Sequence, residues 1–368
     1  MKKSKLFVML AVLLSLGLFL AACGGSGDDK KEDEGKTGDA GKSEETDFSA
    51  AMVTDIGGVD DKSFNQSAWE GLQAFGKENG LEKGNGFDYA QSNDKSDYMP
   101  NLTRLIRDDY KLIFGIGFEL KEDIAKVAEQ YPDTQFAIVD DVVEQPNVAS
   151  ITFKEHQGSF LVGVAAAKKT TTNKVGFVGG IDSPLINKFE SGFIAGVKSV
   201  NPDIEVKVQY AESFGAPDKG KIIASNMFNE GFDVIYHASG GTGNGVFNQA
   251  KDIKQNDPDR DIWVIGVDRD QHEEGQIGDH NITLTSMVKR VDVAVQDVSN
   301  KTMNGESHGG ELLEYGLEDD AIAVATTNSD AMTQDIIDAV NEWKEKILNG
   351  DVEVPKTREE TKAFLEAL

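Results

Sequence analysis

Asp268 follows the apolar stretch 261–267 in the run Val267-Asp268-Arg269-Asp270-Gln271. A carboxylate at the end of a strand can accept hydrogen bonds from two neighbouring hydroxyls, and a ribose 2′,3′-diol has that geometry. Asp140 ends the similar stretch 135–140 and could accept from a donor at the far end of the same ligand. Strand-end aspartates also cap turns and helices, so each has a purely structural alternative. Ser239-Gly240-Gly241-Thr242-Gly243-Asn244-Gly245 is dense enough in glycine for backbone N–H groups to approach a ligand closely, with Gly240 and Gly241 as the candidates. It lacks the Gly-Lys-Ser/Thr ending of a phosphate loop, which leaves a cradle for a neutral or weakly charged ligand or a simple tight turn. Phe64, Phe118 and Phe214 fall in loops or at helix starts, where flat rings could sandwich a flat ligand or fill a core. Stacking a base on an aromatic ring contributes about 1–3 kcal/mol.

Catalytic groupings are sparse. The five histidines are scattered, with no pair at metal-ligand spacing, and no Gly-x-Ser-x-Gly elbow occurs. Carboxylates are abundant enough to supply a glycosidase-like pair, but abundance does not locate one. The expectation is a binding protein and not an enzyme, with no cofactor and no metal.

The elements that would position these residues alternate. A strand at 51–56, a polar loop at 57–63 and a helix from Phe64 open the series. Strands at 87–90, 111–115 and 135–140 follow, interleaved with helices at 98–108 and 121–130. A second series begins at Val175 and repeats the pattern through strands at 206–211, 233–237 and 261–267. Tyr89-Ala90-Gln91-Ser92 answers Tyr210-Ala211-Glu212-Ser213, and Ala137-Ile138-Val139-Asp140 answers Val264-Ile265-Gly266-Val267-Asp268. Alternation of this kind requires parallel sheets, and self-similarity at this scale suggests two copies of one unit. The expected fold is α/β, two doubly wound Rossmann-like lobes sharing a cleft at the carboxyl ends of their strands.

Cys23, the single cysteine, ends Leu20-Ala21-Ala22-Cys23 after an apolar segment headed by Lys2, Lys3 and Lys5. That segment has the layout of an export signal, and its roughly fifteen apolar residues are short of the roughly twenty that a membrane span needs. Residues 24–47 contain no aromatic or branched aliphatic side chain, so they are expected to form a solvated tether. The chain carries 64 acidic and 37 basic residues, a formal charge of −27. Such a surface repels phosphate backbones and argues against a nucleic-acid partner. The organisation expected is a signal peptide at 1–22, an acylated Cys23 and tether at 23–47, and one lobe from 48–152 plus 286–312. The other lobe would comprise 153–285 plus 313–350, and 351–368 a C-terminal tail or helix. Crossings between lobes are expected near 150–154, 283–287 and 312–316.

Asp55-Ile56-Gly57-Gly58-Val59-Asp60-Asp61-Lys62-Ser63-Phe64-Asn65-Gln66 resembles the opening motif of the basic membrane protein, or PnrA-like, family. Pro146–Phe153 with Gly158–Gly163, the run Gly266–Gln271 and Ser286-Met287-Val288-Lys289 are similar to that family as well. The resemblance spans about residues 50–350, and the residues before Cys23 resemble the lipobox of bacterial lipoproteins. It implies a type I periplasmic-binding-protein fold. It also implies a lipid-anchored protein on the extracytoplasmic face of the cell membrane that delivers purine nucleosides to the permease and ATPase subunits of an ABC importer. By the same resemblance Phe64 and Phe214 would stack on the base, Asp55 and Asn65 would lie near it, and Asp268 with Lys289 would hold the ribose. A sugar or a signalling molecule in the same fold is the alternative.

Overall fold

The computed structural model describes residues 47–368, which form one compact unit. Cys23, the expected signal peptide and all of the expected tether but Asp47 lie outside the described residues. The first half supplies β1 (Ala50–Val53), α1 (Phe64–Glu78), β2 (Phe87–Ala90), α2 (Tyr98–Arg107), β3 (Leu112–Ile116), α3 (Lys121–Gln130), β4 (Gln135–Val139) and β5 (Val148–Phe153). The chain then continues through α4 (Glu155–Lys169), β6 (Lys174–Gly179), α5 (Pro184–Val200), β7 (Glu205–Tyr210), α6 (Pro217–Asn229) and β8 (Val234–Ala238). After α7 (Gly243–Asn256) come β9 (Trp263–Asp268), the small hairpin β10 (Gln276–Ile277) and β11 (His280–Asn281), and β12 (Thr283–Lys289). The remainder comprises α8 (Val291–Met303), β13 (Leu312–Tyr315), β14 (Ile322–Val324), α9 (Gln334–Leu348) and α10 (Arg358–Ala367).

Two six-stranded sheets result, ordered β13-β5-β4-β3-β1-β2 and β14-β12-β9-β8-β6-β7. Each position in one has its counterpart in the other, so β4 answers β9 and β3 answers β8. The first sheet is parallel throughout, and the second is parallel except for β14, which runs against β12. Central strands such as β3 (Leu-Ile-Phe-Gly-Ile) and β8 (Val-Ile-Tyr-His-Ala) are buried along their whole length because helices cover both faces. The helices present apolar residues at three- and four-residue spacing, as with Phe64, Ala68, Leu72 and Phe75 of α1. In α4 burial runs without interruption from Gly158 to Ala166, because that helix is packed against both α5 and α9.

Strand pairing puts the crossings between sheets after Phe153, after Lys289 and after Tyr315. The lobe boundary expected at 285/286 divides β12, which pairs with β9 as far as Val288 opposite Asp268. Leu313 to Tyr315 pair with Ile151 to Phe153 and so belong to the first sheet, not the second lobe. The physical reason is common to both shifts: each strand runs on to the carboxyl edge of its sheet before the chain turns.

Candidate functional site

The carboxyl ends of the two sheets face a shared cavity, part of it open to solvent. Eight of the ten candidate residues line it: Asp55, Phe64, Phe118 and Asp140 from the first lobe, with Phe214, Gly240, Asp268 and Lys289 from the second. Asn65 and Gly241 do not.

Asp140 and Asp268 occupy equivalent places at the ends of β4 and β9, and both have left-handed backbones, with φ of 71° and 65°. Such a conformation is uncommon for a residue with a side chain, and it occurs here at the same point of both copies. Between the two carboxylates lies Lys289, 2% exposed, with Nζ 2.6 Å from Asp140 Oδ2 and 3.6 Å from Asp268 Oδ1. Its ammonium also lies 4.6 Å from the centre of the Phe64 ring. Burial alone would depress the lysine, but the carboxylates of Asp140, Asp268 and Glu155 outweigh it and hold the group above its usual value. Asp268 is pushed up to about 6, chiefly by burial, against the opposing pull of Lys289 and the Ser63 hydroxyl. Asp140 Oδ1 is buried and accepts no hydrogen bond. An unsatisfied carboxylate oxygen at a cavity wall is an acceptor waiting for a donor.

At the other end Asp55 is fixed by backbone and side chain together. Its Oδ1 accepts from Gly57 N at 2.7 Å and from Asn65 Nδ2 at 2.7 Å, while its own N–H donates to Asn65 Oδ1 at 3.2 Å. Asn65 therefore directs its amide toward Asp55 and not toward the cavity, which corrects the expectation that it lies beside a bound base. Asp61 holds this arrangement from behind, accepting from Ser63 N, Asn65 N and Gln66 N at the start of α1. Burial pushes Asp55 up to about 7, and the nearby Asp61 and Glu119 add to that. Gly117, with φ of 108°, passes close to Asp55 and Phe64 in a conformation that disfavours any side chain.

Phe64 and Phe214 are each 9% exposed and belong to the apolar cluster of the interior, yet both line the cavity. Phe118 and Phe214 meet edge to face across the cleft, with centroids 6.1 Å apart. Gly180 makes room for Phe214, since a Cβ there would lie only 2.2 Å from the nearest ring carbon. Gly241 lies behind Gly240, where Thr242 N donates to Phe214 O at 2.9 Å. The glycine loop thus buttresses Phe214 and offers Ser239 and Gly240, but not Gly241, to the cavity, a second correction.

The lobes are in contact around the cavity. Ser63 Oγ donates to Asp268 Oδ2 at 2.5 Å, Asn244 Nδ2 to Asp61 O at 3.1 Å, and Gln271 Nε2 to Lys62 O at 3.0 Å. Arg269 grips Glu70 of α1 with two bonds of 2.9 Å. This is a closed arrangement.

Sequence reasoning missed Phe189, Leu185 and Ile186, which line the cavity from the first turns of α5. That helix begins at Pro184, capped by Ser183, whose Oγ accepts from Ile186 N. The Ser-Pro pair was the signal for that start. Glu119 was also missed as a lining residue.

The Bmp profile, described as ABC transporter substrate-binding protein PnrA-like, matches residues 48–358. A CD4+ T-cell-stimulating antigen of Listeria innocua is 51% identical over 97% of this chain and 99% of its own length. A protein of Lactococcus lactis named ABC transporter nucleoside-binding protein BmpA is 43% identical over 96% and 99%. Among solved structures, an ABC transporter solute-binding protein of Aeropyrum pernix aligns with a TM-score of 0.76 and 26% identity, covering 87% of this chain and 99% of that one. The fold is that of type I periplasmic solute-binding proteins, and a substrate-binding role places the protein outside the cytoplasm and excludes an enzyme. The chain belongs to the PnrA-like (Bmp) family of ABC transporter substrate-binding proteins.

Proposed function

We propose that the cavity captures a purine nucleoside and that the closed protein passes it, unaltered, to the membrane subunits of the importer. The observation that carries this reading is the unpartnered Oδ1 of Asp140 at a wall shared with Asp268 and Lys289. A ribose diol supplies the missing donors there and accepts from the ammonium. Phe64 and Phe214 would flank the base, with Phe118 beside them, Asp55 would meet its polar edge, and Gly240 would add a backbone contact. Because Ser63, Asp61 and Lys62 of one lobe already bond the other, a ligand touching both lobes favours closure through contacts that the open form lacks. The nucleoside-binding relative supports the same assignment.

Calorimetric titration with purine nucleosides, ribose, free bases and a nucleoside monophosphate tests it. Purine nucleosides should bind, ribose and the monophosphate far more weakly, and Phe214→Ala or Asp268→Ala should remove most of the affinity. Equal binding of ribose and nucleoside would overturn the assignment in favour of a sugar. Acylation at Cys23 would hold the protein at the membrane. Labelled palmitate should enter the wild-type protein and not Cys23→Ser.

A further inference from the structure

Glu119 follows Phe118 in the turn after β3 and lines the cavity next to Asp55. Its side chain is only 4% exposed. Lys95 Nζ approaches Oε1 at 2.5 Å and so fixes one carboxylate oxygen. The other, Oε2, is buried with no hydrogen bond of ordinary geometry, and the Tyr98 hydroxyl, itself within reach of the Glu119 carboxylate, makes no other. Asp55 shows a related asymmetry, because both of its hydrogen bonds go to Oδ1 and none among the described residues goes to Oδ2. Oδ2 is also the oxygen nearest Gly117 on the cavity wall. The cavity lining therefore offers acceptor oxygens on two separate carboxyl groups, while Lys95, the cation paired with Glu119, is not part of it.

A base edge that fits must carry two adjacent donors. Guanine has them in N1–H and the exocyclic N2–H. Hypoxanthine keeps only N1–H, and adenine sets its acceptor N1 beside its amino group, so that N1 would face a carboxylate. Discrimination of this kind is strong when a buried polar group is left without its partner.

We propose that Glu119 reads the base. Its Oε2, together with Asp55 Oδ2, accepts the N1–H and N2–H donors of a 6-oxo-2-aminopurine, so that the site selects guanosine over inosine and adenosine. This rests on the nucleoside assignment above and adds to it a residue and a preference.

The test is titration of the full chain, purified in mild detergent, with guanosine, inosine and adenosine. Wild-type protein should bind guanosine at least tenfold more tightly than either of the others. Glu119→Gln, which keeps size but turns the acceptor pair into a mixed donor and acceptor, should weaken guanosine at least tenfold and adenosine less than threefold. A purely structural partner of Lys95 would shift all three ligands together, and that result overturns the proposal. So does equal affinity for guanosine and adenosine in the wild-type protein, a comparison that needs no variant to fold. If wild-type protein binds none of the three, the nucleoside assignment itself fails, whereas binding of all three without preference removes only the role of Glu119.

Discussion

Replacing Asp55 by asparagine should make the ligand-free protein more stable above neutral pH while destroying its affinity for ligand. Burial raises the carboxyl from its usual 3.8 to about 7. A carboxyl whose folded value is raised binds its proton more tightly in the folded state than in the unfolded one. Its contribution is therefore fully present below about pH 4 and is lost as the pH climbs through 7. The full loss corresponds to about 4 kcal/mol, of which about 2.5 kcal/mol falls between pH 5 and pH 8. Asparagine keeps an oxygen to accept from Gly57 N and Asn65 Nδ2 and carries no charge, so the variant should lack that part of the pH dependence. Chemical denaturation of both proteins at pH 5, 6, 7 and 8 reads the difference directly. The gap between Asp55→Asn and wild type should widen by about 2.5 kcal/mol across this range. A gap that stays flat from pH 5 to pH 8 would refute the claim that a buried charge at Asp55 is held at the expense of stability. Asp268, raised to about 6 by the same cause, should produce a smaller loss centred at lower pH.

Gly180→Ala should displace the Phe214 ring, and since stacking contributes about 1–3 kcal/mol per base, affinity should fall about 5- to 150-fold. Calorimetry on the variant settles this, and unchanged binding would show that Phe214 does not stack. Glu70→Gln removes the ion pair that joins α1 to Arg269, and because both partners are partly exposed the effect on stability should stay below about 1 kcal/mol. Ligand affinity should still drop a few-fold, and small-angle scattering of the ligand-free protein should show a more open average; an identical scattering curve would mean that this pair does not bias closure. Lys289→Met strands Asp140 and Asp268 without their shared cation, a loss of about 3–5 kcal/mol for a buried pair. The deficit should shrink as pH falls and the carboxylates protonate, which thermal melts at pH 5 and pH 8 would reveal.

The duplicated plan was legible because apolar strands and their terminal carboxylates recur at matching places. Asp140 and Asp268 end β4 and β9, and a polar residue that closes a buried strand stands out in sequence. Phe189 could not be singled out in this way, since a phenylalanine at helical spacing looks the same whether it faces a core or a cavity. Asn65 shows a different limit. Its residue type suits base recognition, but whether its amide faces the cavity depends on a partner ten residues earlier, Asp55, and on Asp61. Glu119 was hidden by number: in a chain with 64 acidic residues no single one draws notice until its burial is known. The lobe boundary near 286 was misplaced because the pattern of β12 does not reveal that it must reach Asp268, and Lys289 stands at the carboxyl edge only because the strand continues that far.

Charge has two separate roles in this molecule. The formal −27 of the whole chain concerns solubility and repulsion at long range, where salt screens it. Inside the cleft the balance is local: Asp55, Asp61, Glu119, Asp140 and Asp268 line the cavity with Lys289 as the one basic residue among them. The charge of that lysine is already countered by Asp140 and Asp268, so it adds little net attraction for a phosphate. Two like charges 4 Å apart repel by about 4 kcal/mol at an effective dielectric of about 20. A phosphorylated ligand would have to overcome several such terms at once. The hydroxyls and ring N–H groups of a nucleoside donate to the same carboxyls and relieve them. Under the proposed function, selection of an uncharged nucleoside over its nucleotides would follow from an excess of acceptors over cations, without any element dedicated to rejecting phosphate.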